Sequence, residues 1–381
     1  MLSAVFGLIL SAHQVEKAPL LKATLPNGAM VLIQRAPQAR QTTVTLLAMT
    51  GGKRETPETH GRRHLLEHLL AKGESNGLDK RLEAKGGFLT AATTRDAMLI
   101  AIQSDPTDLG LALSGIREML VAPTFTPEAI ATEAKIIEQE LLLTEAESSF
   151  FAKAWNLAYG DNGLDPYGSI ESISSATPDD LKAIHRDLYR GSRVMLVVSG
   201  PVDVDQAMSL AKPLVVGLPA SPPEEFAPIP KGAAGEASND RGFGECRGAI
   251  VGGLLEQDTL PAIAAAIALC STHPEWRVTY TPSIQKGLVL VRTSIKGDLA
   301  PVIDTINDEE LYRHWEIGKA LLPLWLANMS ADGALRGLLL RQEANLTPEK
   351  LLEQAKSMSF DQFKRGMDSF RRGRAVVVVG K

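Results

Sequence analysis

Apolar positions along the chain fall into two kinds of run. Residues 43–49 form a short, largely apolar segment that reads as a strand, and residues 194–200 form another, preceded by a basic turn and closed by a glycine. Residues 108–120 and 127–144 instead place apolar side chains at three- and four-residue steps, the period of a helix with one buried face. In the second of these, Ile130, Ala134, Ile137 and Leu141 make the stripe, Pro127 stands in the first turn and Thr126 is the expected N-cap. The first half reads strand, strand, helix, helix, strand, helix, helix, and then the segment ending at Gly200. This alternation predicts an α+β fold in which a sheet is covered by helices on one side.

The pattern breaks after residue 217. Pro219, Pro222, Pro223, Pro228 and Pro230 forbid a helix and favour an extended connector, so a domain boundary is expected there. An internal echo crosses it. Residues 177–200 run from an acidic helix start through Tyr189 and a basic turn to Val194-Met195-Leu196-Val197-Val198, and residues 359–380 repeat the scheme with Phe370, Arg371 to Arg374 and Val376 to Val379. Such self-similarity predicts two related αβ units in tandem, each a mixed or antiparallel sheet covered by helices. The expected organisation is an N-terminal extension at 1–17, a first domain at 18–217, a connector at 218–239 and a shortened second domain at 240–381.

With 381 residues, 44% hydrophobic and 22% charged, the chain has ample core for two domains. A net charge of -5 argues against nucleic acid as the main partner. Cys246 and Cys270 fit neither a disulfide framework nor a thiolate metal site, which leaves core packing. Residues 2–10 are apolar and end in Ser11-Ala12, like a signal peptide with its cleavage site, but no Lys or Arg precedes them. Periplasmic or secreted placement follows if residues 1–12 are such a signal, and cytoplasmic placement if they are a buried strand or follow a misplaced start. No other segment is long and apolar enough to be an integral membrane span.

The candidate chemistry lies in His64-Leu65-Leu66-Glu67-His68. On a helix, His64 and His68 share a face and can each give a ring nitrogen to one metal ion, while Glu67 stands beside them. That is the inverted HxxEH form of a catalytic zinc motif, with a carboxylate placed to take a proton from metal-bound water. Two histidines on a helix can also be plain polar surface; a third ligand separates the readings, because a catalytic zinc takes three protein groups. Glu133 and Glu140, seven residues apart on one face of the helix at 127–144, offer carboxylates, whereas Glu138 and Glu145 read as solvated.

HLLEH followed 72 positions after His68 by Glu140 resembles the pitrilysin/insulinase family of zinc peptidases, which includes the mitochondrial processing peptidases, and within it the small bacterial subunits. Further matches are Leu25-Pro26-Asn27-Gly28, Gly52-Lys53-Arg54-Glu55, Lys72-Gly73, residues 86–93 and Asp165-Pro166-Tyr167-Gly168. The resemblance implies that His64, His68 and Glu140 bind Zn2+, that Glu67 is the general base, and that Glu133 orients a ligand. It implies a peptide substrate lying extended along the sheet edge at Gly87, Thr90 and Ala91. Thr90 and Ala92 replace the family's Asn and aromatic residue, and the loop at 74–79 is shorter. Arg277 and Tyr280 are candidates for the Arg and Tyr that the family's second domain contributes to substrate binding, at a different spacing. The expected function is a zinc-dependent endopeptidase, HxxEH type, completed by a homologous subunit in a heterodimer or by a second copy in a homodimer. A non-catalytic scaffold subunit and an isolated metal-binding module are the competing expectations.

Overall fold

The computed structural model describes residues 20–49, 55–72, 77–121, 123–143, 145–222, 229–240, 242–253, 258–280, 283–331 and 348–380. The signal-like segment, Gly52-Lys53-Arg54, Gly73 with residues 74–76, and residues 223–228 lie outside the described residues.

The first of two sheets has the order β1 (Leu20–Thr24), β2 (Met30–Arg35), β6 (Val194–Gly200), β3 (Thr42–Met49), β5 (Ala97–Ser104), β4 (Phe88–Thr93). Only β2 and β6 run parallel; every other neighbouring pair is antiparallel. One face, carrying Val31, Ile33, Leu46, Ile100 and Val198, packs beneath helices. These are α1 (Arg62–Lys72), α2 (Leu78–Glu83), α3 (Leu109–Leu120), α4 (Pro127–Leu143), α6 (Ile170–Ser174), α7 (Pro178–Leu188) and α8 (Val204–Val216). The other face, with Met30, Leu32, Leu47, Met49 and Val197, joins the core of the second half. Helices on one side therefore describe half of the packing. Burial on both faces is why the central strands read as continuous apolar runs rather than alternating ones.

The second sheet has the order β7 (Gly235–Asn239), β11 (Val376–Gly380), β8 (Glu245–Gly252), β10 (Lys286–Thr293), β9 (Arg277–Tyr280). This is the order of the first sheet with β1 removed. The parallel pair β7 and β11 answers β2 and β6, and β8, β10 and β9 answer β3, β5 and β4. Its helices are α9 (Thr259–Thr272), α10 (Leu299–Ile303), α11 (Asp308–Ala331), α12 (Pro348–Lys356) and α13 (Phe360–Asp368). The echo seen in sequence recurs in detail. Both α7 and α13 open with a capping box, Thr177 with Asp180 and Ser359 with Gln362, and each leads into the strand parallel to the unit's first long strand.

Two features depart from the expected organisation. Gly235–Asn239, within the segment read as connector, pairs with β11 as β7, because this proline-free stretch can complete the second sheet's ladder. Helix α5 (Glu145–Tyr159), although in the first half of the chain, covers the second sheet. Its Phe151, Trp155 and Tyr159 recur at four-residue steps, pack in one cluster with Leu288, Leu290, Val376 and Val378, and bring the Tyr159 hydroxyl to donate to the Gly287 carbonyl at 3.0 Å. Cys246 and Cys270 are free thiols, buried and half-buried, and burial pushes both up to about 12.

Helix α9 is the centre of the second half. From Leu260 to Leu269 every residue is buried, as expected of a helix apolar all round. Two neighbours approach its backbone through glycine: a Cβ on Gly366 would stand 2.3 Å from the Pro261 carbonyl, and one on Gly318 would stand 2.7 Å from the Ala264 oxygen. Gly366→Ala is therefore expected to cost about 1–3 kcal/mol by overpacking. Gly110→Ala, at an exposed position of α3 with nothing within 4 Å of the new methyl, is expected to stabilise by up to about 1 kcal/mol. Urea unfolding of the two variants checks the opposite signs.

Candidate metal centre

Helix α1 carries the motif and is held at both faces. Leu65, Leu66 and Leu70 bury one side against the first sheet. At its start, the Glu55 carboxylate accepts the backbone N–H groups of Gly61 at 3.1 Å and Arg63 at 2.7 Å, which satisfies two of the donors a helix N-terminus leaves open. Helix α4 begins as the sequence predicts, with the Thr126 hydroxyl accepting from Ala129 N at 3.2 Å. It packs against α1 through Ile130, Glu133, Ala134 and Ile137.

Two carboxylates on α4 then meet two imidazoles on α1. Glu133 is 3% exposed; one oxygen accepts from Lys72 Nζ and the other lies 3.3 Å from His68 Nδ1. Two turns further on, Glu140 Oε2 lies 3.8 Å from His64 Nε2 and 3.5 Å from His68 Nε2, and the two Nε2 atoms are 3.2 Å apart. His64 Nδ1 is 2.9 Å from the Tyr167 carbonyl oxygen. Each imidazole thus has an acceptor at Nδ1, which places the proton there and leaves Nε2 as a lone pair. The two bare nitrogens and the Glu140 oxygen face one another with no hydrogen between them, an arrangement that calls for a cation. Four ligands at 2.0–2.1 Å around zinc stand about 3.3 Å apart, close to the three separations here, so the donor set and its spacing fit a zinc ion with one position open.

Glu67 is buried beside this cluster, and its Oε2 accepts from the Thr93 hydroxyl at 2.8 Å. Burial raises its pKa above the ordinary carboxylate value; the Thr93 hydroxyl and His64 oppose the rise, and Glu140 adds to it. Thr93 is the last residue of β4, which lies at the end of the sheet order, so its outer edge pairs with no strand among the described residues. Thr90 is exposed on this edge and Ala91 is half-buried under α1 and its neighbours. At Gly87 a Cβ would lie 2.6 Å from the Gln103 carbonyl, which by itself accounts for a glycine.

The second-half candidates lie on β9. Arg277 is exposed and donates to the carbonyls of Pro274 at 2.7 Å and Trp276 at 3.0 Å, within its own turn. Tyr280 is buried, with its ring 6.1 Å from that of Trp325. Glu138 is exposed, as a solvated acid should be. Sequence reasoning had no role for the Tyr167 carbonyl, for the Glu55 cap or for Lys72. Asp165-Pro166-Tyr167-Gly168 and Lys72 carried a signal only as matched words, because a main-chain acceptor has no residue type.

Comparison with known proteins places this chain in a family. The model of Insulinase (Peptidase family M16) matches residues 30–161, and that of the Peptidase M16 inactive domain matches residues 175–240. An uncharacterized zinc protease of Streptomyces coelicolor is 28% identical over 193 residues, 48% of this chain and 41% of that protein. The mitochondrial-processing peptidase subunit beta of Saccharomyces cerevisiae is 28% identical over 257 residues, 64% of this chain and 52% of that one. The chain therefore spans about half the length of these curated relatives. The crystal structure of a protease from Helicobacter pylori superposes with a TM-score of 0.75 over 96% of this chain and 99% of that chain, at 17% identity. Among the described residues no helix is long and apolar enough to cross a membrane. With both of its matching models drawn from one family, and with tandem sheets in the arrangement of its structural neighbour, this chain belongs to the M16, or insulinase, family of peptidases.

Proposed function

We propose that this chain is the zinc-binding subunit of an endopeptidase that cleaves extended or unfolded peptides. The observation that carries the reading is the convergence of three lone-pair donors from His64, His68 and Glu140 beside the buried Glu67. Zinc held by these residues would supply Lewis acidity, lowering the pKa of a water in its open position and polarising a peptide carbonyl. The chain's own groups do the rest. Glu67 takes a proton from the attacking water at Oε1, since Oε2 is engaged by Thr93, and returns it to the leaving amine. Burial, by favouring the protonated form, makes this carboxylate a stronger base than a solvated one. The peptide adds to the outer edge of β4 near Gly87, Thr90 and Ala91 by main-chain hydrogen bonds, so the site reads an extended shape more than a sequence.

The facing wall is less complete. Arg277 is folded onto its own turn and Tyr280 is packed against Trp325, so neither is an evident donor to a substrate. One relative is by name a subunit. Both points support a homologous partner, in a heterodimer or a homodimer, that supplies the missing donors. A scaffold role without catalysis is the weaker reading, because all three ligands and the base are retained.

Three outcomes are expected. Glu67→Gln retains one zinc per chain by elemental analysis and loses about 100- to 10,000-fold in kcat/KM on an unfolded peptide, whereas His64→Ala and His68→Ala lose the metal as well. Cleavage by Glu67→Gln at the wild-type rate would refute the assigned base. Thr93→Val removes a donor that lowers the Glu67 pKa, so the pKa rises further and the acidic limb of the kcat/KM profile against pH moves to higher pH. The purified chain alone binds zinc but cleaves weakly, and adding a homologous subunit that carries the Arg and Tyr raises the rate. Full activity alone, unchanged by that addition, removes the case for a partner.

A further inference from the structure

The Tyr167 carbonyl that meets His64 belongs to a short loop stitched to the start of α1 from several directions. Asp165 Oδ1 accepts the backbone N–H of Tyr167 at 2.8 Å and of Gly168 at 3.3 Å, which fixes the peptide planes on either side of the Tyr167 α-carbon. The Asp165 carbonyl is met by His60 Nε2 at 2.8 Å, and the His60 carbonyl accepts from Ser169 N at 3.2 Å. His60 stands four residues before His64, so the loop is tied to the segment that leads into the metal helix. No side chain separates the two strands of this stitch. A Cβ on Gly168 would lie 2.3 Å from the Gly61 α-carbon, and both glycines have left-handed backbones, with φ of +100 and +91. His60 and Asp165 are both buried, so these bonds do not compete with bulk water.

The orientation of the Tyr167 carbonyl has a chemical consequence. Nδ1 of His64 faces an oxygen that only accepts, so the neutral ring keeps its proton on Nδ1 and turns Nε2 toward His68 and Glu140. The opposite tautomer would set a lone pair against the carbonyl and a proton into the position where a metal must sit. His68 owes its own orientation to a carboxylate on a neighbouring helix, but His64 depends on one backbone oxygen 103 residues away in sequence.

We propose that Asp165 and His60 are positioning residues that hold the Tyr167 carbonyl and thereby lock His64 in the Nδ1–H tautomer, ready to bind the ion through Nε2. The inference deepens the metal-binding reading above. Every contact of the clamp is between protein atoms, so it is tested in the metal-free protein.

The experiment labels histidine with nitrogen-15 and reads the His64 tautomer by long-range NMR correlations in the apo protein, then measures zinc affinity by competition with a chelator. The wild type is expected to show a single Nδ1–H form. Asp165→Ala is expected to show a mixture of tautomers and a zinc affinity lower by about 10- to 100-fold, the range found when a group supporting a ligand is lost. Asp165→Asn, which keeps an acceptor oxygen for both amides, is expected to retain the wild-type tautomer and affinity. His60→Leu removes the second anchor and is expected to shift the tautomer in the same direction; it carries the test if Asp165→Ala does not fold. A role confined to stability would lower the unfolding midpoint and leave the tautomer alone. An unchanged His64 tautomer in folded Asp165→Ala or His60→Leu, or zinc affinity within twofold of wild type, overturns the proposal. A wild type that binds no zinc, yet shows the Nδ1–H form and loses it in Asp165→Ala, leaves the clamp standing and removes the metal reading instead.

Discussion

The buried carboxylate of Glu133 sets the geometry on which the site depends. An acid that is 3% exposed is costly unless its charge is met, and its partners here, Lys72 and His68, both stand on α1. That requirement fixes the rotation and height of α4 against α1. Glu140 follows two turns later on the same face, so its oxygen arrives 3.8 and 3.5 Å from the Nε2 atoms of His64 and His68. A helix pair packed only through Ile130, Ala134 and Ile137 could slide by a turn at modest cost in apolar contact. One paired acid forbids that slide.

The two halves share a strand order and differ in what their first helix does. Between β3 and β4 the chain places α1, whose His64 and His68 sit half-buried at its outer side; in the matching place between β8 and β9 it places α9, which is buried from Thr259 to Leu269. A helix apolar on every side has no face on which to present a histidine, and α9 contains no histidine or acidic residue. What the second half gains is a core that reaches across to the far face of the first sheet. The duplication has thus been divided into a half that carries the His64, His68 and Glu140 cluster and a half whose core packs against the first sheet, with α5 crossing over to cover the second sheet.

Much of this was legible in the chain because the relevant signals are local. The bounds of β6 and β11, the helix start at Pro127, the Thr126 cap and the shared face of Glu133 and Glu140 follow from period, capping chemistry and spacing. The echo at 177–200 and 359–380 was visible because a helix start, an aromatic, a basic turn and a valine-rich strand are short words. The destination of α5 was not, because an aromatic stripe announces burial without saying against which sheet. β7 was hidden by the prolines just before it and by a composition, Gly235-Glu236-Ala237-Ser238-Asn239, with no apolar period; its pairing with Val376 to Val379 decides its state. The anchors of His64 were equally silent, since main-chain oxygens are supplied by every residue and only the fold chooses which one arrives.

The same reasoning ties Glu67 to the edge of the first sheet. Thr93 ends β4 and its hydroxyl donates to Glu67, so the edge proposed to receive a peptide also holds the proposed base. β4 is in turn fixed by six consecutive pairings with β5, from Phe88 to Thr93. Because side chains alternate along a strand, a slip of one residue would turn Thr93 outward and place Ala92 under α1, removing the donor from Glu67 altogether. Sheet register therefore governs where the β4 edge stands relative to Glu67. A peptide docked on β4 as proposed would inherit that register through its own main-chain bonds, which would give positional accuracy without a deep pocket to recognise each side chain.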